Sequence, residues 1–404
     1  MVHACLVRGI SPAHASRALA PAAALVAVAL LMDAFNDRRD HTLLLPVALL
    51  CGFGIALLFS VDGYLAAKQV IFVGVGCLLL LATYMIVDDV DALRSASGLA
   101  GLAAVLLLGV TIIFGEEING ARLWLGVPGV FLFQSGELAK VFIVMFMAGF
   151  LSLYTERRAR TGHESSLAIV LVLTVIVALA MFVLQHDLGA GLLVFGVVLL
   201  MIYVATGAWQ ATSAAILLLV VGVALAMHFL PAAQEGAVVT RRLIAWVDPW
   251  RDPLGAGYQT IQGLIAMAHG GLFGTGAGLS TPGVLPVAES DMIYAVAGQE
   301  MGFLGSVGLF LLYGLVAYRG FQLALACRTT YTGLLATGLS GLLSLQALVI
   351  VGGVLKALPL TGVTLPFLSY GGSSMLVSFV ALGLLLCISR DSVGWPSKSA
   401  GGRD

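Results

Sequence analysis

Ten separate stretches of this chain are apolar over the seventeen to twenty-five residues that a helix needs to cross the hydrocarbon core of a bilayer. They occupy residues 42–60, 69–87, 96–114, 137–153, 167–184, 188–206, 211–230, 302–318, 331–355 and 373–389. Lipid offers backbone N–H and C=O groups no water, so each such stretch must pair them internally, as a helix does. The expected fold is an all-α polytopic membrane protein. An eleventh stretch, 19–32, is short and contains Pro21. It reads as a weak span, an interfacial helix or the remnant of a longer N-terminus, and no clear small-residue cleavage site follows it as in a secretion signal. Composition agrees: with 60% hydrophobic and 10% charged residues among 404, the chain cannot clothe a soluble surface of this size. The same figures exclude intrinsic disorder. A net charge of −1 provides no global field for nucleic acid. The five cysteines are scattered and form no CxxC pair, which argues against a disulfide frame or a zinc site.

Orientation follows from lysine and arginine, which favour the cytoplasmic side. With the segment before residue 42 inside, eleven basic residues (Arg38, Arg39, Arg94, Arg157, Arg158, Arg160, Arg319, Arg328, Arg390, Lys398, Arg403) lie inside and six (Lys68, Arg122, Arg241, Arg242, Arg251, Lys356) outside. The C-terminus is then cytoplasmic, with the strongest anchor at 155–166, and segments 115–136 and 231–301 face outward. The outer loop 231–301 is long enough to hold elements of its own. Within it, 257–273 reads as a helix too polar for lipid, because Gln259, Gln262 and His269 interrupt it. The layout is therefore an extension, 1–41, with the weak apolar segment; a transmembrane domain, 42–389; and a cytoplasmic tail, 390–404.

Charges are expensive in a membrane, so ionisable residues at span ends are candidates for function. Glu137 and Lys140 share one helix face at i and i+3; they read as a local ion pair or as positive charge for a pocket, with Glu137 orienting Lys140. Asp187 interrupts two apolar runs and reads as a helix cap or a site carboxylate. Arg122 and Trp124 lie on the outer side, where an arginine is disfavoured; its planar donors suit phosphate, while an interfacial tryptophan alone is commonplace. Asp291 and Glu300 flank an apolar stretch leading into a span. A carboxylate there has its pKa raised by desolvation, towards the range of a base for a sugar hydroxyl; a helix cap by Ser290 and Asp291 is the ordinary alternative. Arg241, Arg242 and Arg251, with Asp248 and Asp252, form a charged outer face, read equally as a solvated rim or a contact with anionic lipid headgroups. No Gly-Lys-Ser/Thr phosphate loop occurs, and the glycine-rich run 271–278 follows no strand, so it is not a dinucleotide fingerprint.

Seven blocks resemble one known family: Gly120-Ala-Arg-Leu-Trp-Leu, Gln134-Ser-Gly-Glu-Leu-Ala-Lys, Gln185-His-Asp-Leu-Gly, Asp248-Pro-Trp-Arg-Asp-Pro with Gly257-Tyr-Gln, Gly271-Leu-Phe-Gly-Thr-Gly, Glu289-Ser-Asp-Met-Ile-Tyr-Ala, and Pro359-Leu-Thr-Gly-Val-Thr-Leu-Pro-Phe-Leu-Ser-Tyr-Gly-Gly-Ser. In this order they resemble the signature blocks of the SEDS proteins, the RodA/FtsW/SpoVE-like family, and they run from about residue 42 to 389. The extra N-terminal segment is similar to the RodA-like branch, with helices before a ten-helix core. Three departures stand out. Prolines usual in the second and third blocks are absent, and Gln299-Glu300 keeps one carboxylate of a usual pair.

The resemblance implies a peptidoglycan glycosyltransferase in the bacterial cytoplasmic membrane, serving cell elongation or division. It would polymerise lipid II at the outer face, beside a class B penicillin-binding protein that cross-links the glycan. The family's essential aspartate falls on Asp291, its functional tryptophan on Trp124, and its Glu and Lys pair on Glu137 and Lys140. The chemistry needs a base for the acceptor 4-hydroxyl and positive charge on the departing diphosphate. Asp291 is the expected base. Arg122 and Lys140 are the expected diphosphate partners, with Glu137, Asp187, Glu300 and Trp124 completing the substrate site. No organic cofactor is implied; a divalent cation held by acidic residues is compatible with the chemistry. Expected partners are lipid II, the growing lipid-linked glycan, the penicillin-binding protein and membrane lipids. Two other classes fit the same charges: a flippase or transporter of a lipid-linked sugar, and a non-catalytic scaffold for the penicillin-binding protein.

Overall fold

The structure, a computed structural model, describes residues 41–391 apart from 119–120, 128–130, 162–166, 186, 230–241, 243–244 and 281. The apolar stretch 19–32, most of the tail and Arg241 lie outside the described residues. The apolar runs fold as helices: α1 (Leu44–Val61), α2 (Gly63–Ile86), α3 (Ser97–Phe114), α4 (Ser135–Thr161), α5 (Leu167–Leu184), α6 (Leu188–Thr206), α7 (Trp209–Phe229), α9 (Ile293–Ala326), α10 (Thr330–Val354) and α11 (Gly372–Asp391); α8 (Tyr258–Gly270) lies in the outer loop. Eight of the described helices are long and apolar enough to cross a membrane, so the chain is a multi-pass membrane protein. Their apolar residues run all the way round, as expected where one side meets lipid and the other meets protein. The two most buried spans, α10 and α11, form the middle of the bundle. Around them α2 packs on α11, α3 on α4, α9 on α10, and α6 on α10 and α4.

The segment between α3 and α4 adds a feature to the helical expectation. It forms a three-stranded antiparallel sheet, β1 (Glu116–Ile118), β2 (Ala121–Val127) and β3 (Phe131–Gln134). Trp124 stands opposite Glu116 on one side and Gln134 on the other. The sheet is fastened to the bundle where Ser373 Oγ accepts from Gln134 N at 3.0 Å, and where the hydroxyls of Thr111 and Ser135 bond to each other.

The two ends of the bundle differ. At one end the basic residues lace short loops together. Arg94 pairs with Glu156 at 2.7 Å, Thr329 donates to Asp91 at 2.7 Å, and Arg390 donates to the carbonyls of Val87 and Asp88. The sheet, α8 and the 355–371 connection between α10 and α11 belong to the other end.

Helix α9 is broken at Gly302, where the backbone takes φ 69°, ψ −169°. The stretch before the break, from Ile293 to Glu300, is buried throughout. The break frees backbone groups that lipid would leave unpaired. The glycine-rich run supplies their partners: Thr275 N donates to Gln299 O, Gly276 N to Glu300 O, Phe303 N to Gly271 O and Leu304 N to Leu272 O, at 2.8–3.2 Å. Such close backbone approach requires glycine. A Cβ on Gly274, itself at φ 82°, would lie 2.1 Å from the Glu300 carbonyl oxygen. Gly274→Ala is therefore expected to destabilise the protein by about 3 kcal/mol or more, from left-handed strain and a clash with rigid backbone. Thermal unfolding in detergent checks it, with Gly109→Ala, which meets no neighbour within 4 Å, as the control.

Candidate active site

The site is organised by the 355–371 connection, which drops into the bundle and is pinned from every side. Gln69 of α2 donates to Ser369 O at 2.8 Å, and Gln346 of α10 donates to Thr364 O at 2.8 Å. Ser369 Oγ donates to Ser290 O at 2.7 Å and accepts from Leu365 N at 2.9 Å, while Tyr370 N donates to Glu289 O at 2.9 Å. The N-terminus of α6 abuts it so closely that a Cβ on Gly189 would fall 2.3 Å from Val363. Asp291 is thus held in place by a backbone about eighty residues downstream, through its neighbours Glu289 and Ser290.

Asp291 is partly buried just before α9. Burial raises its pKa to about 6, against a pull downward from the Ser290 hydroxyl and Arg242 and a push upward from Glu289 and Asp187. The bond from Ser290 Oγ to Asp291 Oδ1 is 3.2 Å long. Arg242, one of the outer-face arginines, comes to the same place: its Nη1 donates to Thr361 O at 2.7 Å.

Asp187 is buried and does what a cap does, accepting from Ala190 N at 2.8 Å. Burial raises its pKa; the Ala190 N–H, Lys140 and Arg242 oppose that rise, and Glu137 adds to it. So Glu137, Lys140, Asp187, Arg242 and Asp291 lie within electrostatic reach along one chain of neighbours. Glu137 and Lys140 form the expected ion pair at 2.9 Å, with Lys140 only 2% exposed. The ammonium also donates to Gln346 Oε1 at 3.4 Å. A direct diphosphate contact by Lys140 does not fit this geometry, because its charged end is sealed among protein groups. Through Gln346 it is linked to the Thr364 carbonyl of the 355–371 connection.

The structure leaves three expected residues outside this cluster. Arg122 sits half exposed on β2, paired with Glu117 at 3.2 Å, and Trp124 follows it on the same strand, partly buried. Glu300 also lies apart from the cluster. Both its oxygens are taken inside the protein, Oε1 by Ser280 Oγ and Oε2 by Ser60 Oγ at 3.1 Å. It ties the outer loop to α1 beside the break in α9 and presents no open edge to a substrate. Among the described residues no group of three or more His, Cys, Asp or Glu side chains is placed to share a metal ion.

Sequence reasoning places Arg242 on a charged face without joining it to Asp291, and misses Gln346, Gln69 and the Thr361–Gly362 turn. The last block of the resemblance contained the turn, but no spacing connects it to residue 242 or 291.

Comparison with known proteins agrees with this architecture. The profile of the FtsW/RodA/SpoVE cell cycle proteins matches residues 43–393. Over 380 residues the chain is 33% identical to the peptidoglycan glycosyltransferase RodA of Mycobacterium tuberculosis (strain ATCC 25618 / H37Rv), covering 88% of this chain and 79% of that one. Over 379 residues it is 33% identical to stage V sporulation protein E of Bacillus subtilis (strain 168), covering 89% and 100%. Its fold matches the rod shape determining protein RodA of Thermus thermophilus at a TM-score of 0.64 with 29% identity, over 88% of this chain and 98% of the other. It also matches a chain described in work on how a peptidoglycan synthase complex coordinates polymerization and crosslinking, at 0.71 with 31% identity, over 88% and 99%. With the helix order, the broken α9 and the blocks that pin Asp291 all in place, this chain belongs to the FtsW/RodA/SpoVE family of cell cycle proteins.

Proposed function

We propose that this chain is a peptidoglycan glycosyltransferase that polymerises lipid II at the outer face of the bacterial cytoplasmic membrane, alongside a class B penicillin-binding protein. The observation that carries the reading is Asp291: a carboxylate with its pKa raised to about 6, fixed at the end of the bundle away from the basic loops, with an arginine facing the same turn. In the reaction the acceptor sugar's 4-hydroxyl gives its proton to Asp291. Its oxygen forms a bond to the anomeric carbon of the growing strand. The bond from that carbon to the diphosphate breaks, and the electron pair leaves with the diphosphate, inverting the centre. Asp291 acts as general base. The Glu137–Lys140 pair and Asp187 hold the shape of the pocket, and Arg122 and Trp124 on the sheet meet the incoming lipid-linked sugar. A site at the lipid boundary lets polyprenyl tails stay in hydrocarbon while the sugars reach water.

A purified-protein assay tests the reading. Glycan strands made from lipid II by the chain with its penicillin-binding protein support it. Transfer of lipid II across vesicles without strand growth favours a flippase, and neither activity leaves a scaffold. Only the carboxylate form can accept the proton, so synthesis is expected to fall as pH drops, with a midpoint near pH 6. A rate profile flat from pH 5 to 8 would remove Asp291 from the base role.

A further inference from the structure

Arg242 is the one member of the cluster with a free cationic edge. Nη1 is held by the Thr361 carbonyl at 2.7 Å. Nη2 lies 3.0 Å from the point where a Cβ on Gly362 would stand, and Asp291 Oδ2 lies 3.7 Å from that same point. Yet the two are not ion-paired, unlike Arg94–Glu156, Arg122–Glu117 and Lys140–Glu137. Opposite charges this close would close on one another if free to do so. Here each is restrained: Arg242 by the turn it grips, and Asp291 by the backbone bonds of Ser290 and Glu289 to Ser369 and Tyr370. Between them lies the bare Cα of Gly362, at φ 74°, where any side chain would fill the space.

We propose that Arg242 binds the departing diphosphate through Nη2, and that Gly362 is a positioning residue whose missing side chain keeps the reacting gap open. This rests on the glycosyl-transfer reading above and assigns the partner of its leaving group. As the bond from the anomeric carbon to the phosphate oxygen breaks, the electron pair and negative charge pass to that oxygen beside the guanidinium. The hydroxyl proton passes to Asp291 across the gap. An inverting displacement needs base and leaving-group cation on opposite sides of one carbon, and these two groups face each other across one turn. A guanidinium also suits the task, since its donors are planar, always charged and matched to phosphate oxygens. Of the two cations expected to meet the diphosphate, Lys140 is held inside the protein and Arg122 lies on the sheet, outside the cluster.

The test measures binding and turnover separately, on the full chain in detergent with its penicillin-binding protein. Binding of undecaprenyl diphosphate is titrated by calorimetry, with inorganic pyrophosphate as competitor, and strand synthesis from lipid II is followed in parallel. Arg242→Gln is expected to weaken lipid diphosphate binding by at least about 10-fold and to lower kcat by about 10²- to 10³-fold, with Arg242→Lys recovering part of both. Asp291→Asn is expected to bind the lipid diphosphate at least as tightly as wild type while making no glycan. Gly362→Ala should lose synthesis. Displacement by pyrophosphate supports headgroup recognition, whereas failure to displace overturns it by assigning the affinity to the lipid tail. Unchanged diphosphate affinity in Arg242→Gln, or a lysine variant no better than the glutamine one, also overturns the proposal. Should wild type bind the lipid diphosphate but make no strands, the enzymatic reading fails while the Arg242 comparison still decides this one.

Discussion

Asp291→Asn is expected to insert, fold and hold its penicillin-binding protein while strand synthesis falls by about 10²- to 10⁴-fold, below detection for labelled glycan on a gel. The substitution keeps size and shape. It also keeps an oxygen at the place where Ser290 Oγ donates at 3.2 Å, so the turn ahead of α9 loses no packing. It removes the one property the reaction needs, an oxygen basic enough to take the hydroxyl proton. The backbone that positions the residue is unaltered, because its bonds run from Ser369 and Tyr370 to the carbonyls of Ser290 and Glu289. Loss of stability can therefore be separated from loss of chemistry by thermal unfolding on the same sample. Normal polymerisation by this variant would refute the base assignment outright.

Lys140→Met is expected to be among the most damaging substitutions to stability rather than to chemistry alone. It leaves the Glu137 carboxylate inside the protein without its cation, and breaking such a pair costs about 3–5 kcal/mol. Gln346 also loses a donor to Oε1, loosening the residue that holds the Thr364 carbonyl. The double variant Glu137→Gln with Lys140→Met removes both charges, and most of the loss should then be recovered. The measurement is the unfolding temperature in detergent across the cycle of two single variants and the double. A double variant as unstable as the single would show that the pair's charge balance is not what Lys140 provides.

The spans were legible because a bilayer imposes a simple rule on composition. The runs 167–184 and 188–206 were read to the same residues as Leu167–Leu184 and Leu188–Thr206. The run from 302 began at the point where α9 breaks. The preceding turns of that helix were missed because Gln299 and Glu300 lie in them, and a buried carboxylate bonded to two serines looks, in sequence, like a residue outside the membrane. The sheet was missed because strands of three to seven residues leave a faint pattern, fainter still beside 20-residue apolar runs. The Glu137–Lys140 pair was legible since helix spacing alone predicts it. Arg242 was not. It lies in a loop of unknown path, and its meeting with Thr361 depends on a connection more than a hundred residues away. Glu300 shows the opposite error, in which a real buried charge was given a substrate because its serine partners, Ser60 and Ser280, could not be foreseen.

The bonds that brace the 355–371 connection join parts of the chain made far apart in time. Gln69 waits for Ser369, and so does Ser290. A ribosome adding about 5–20 residues per second finishes the stretch around Asp291 many seconds before the final span emerges. Until the 355–371 connection is made, the aspartate lacks the bonds from Ser369 and Tyr370, so a copy truncated before that connection should make no glycan. Competence would arrive in a single late step, when that connection docks.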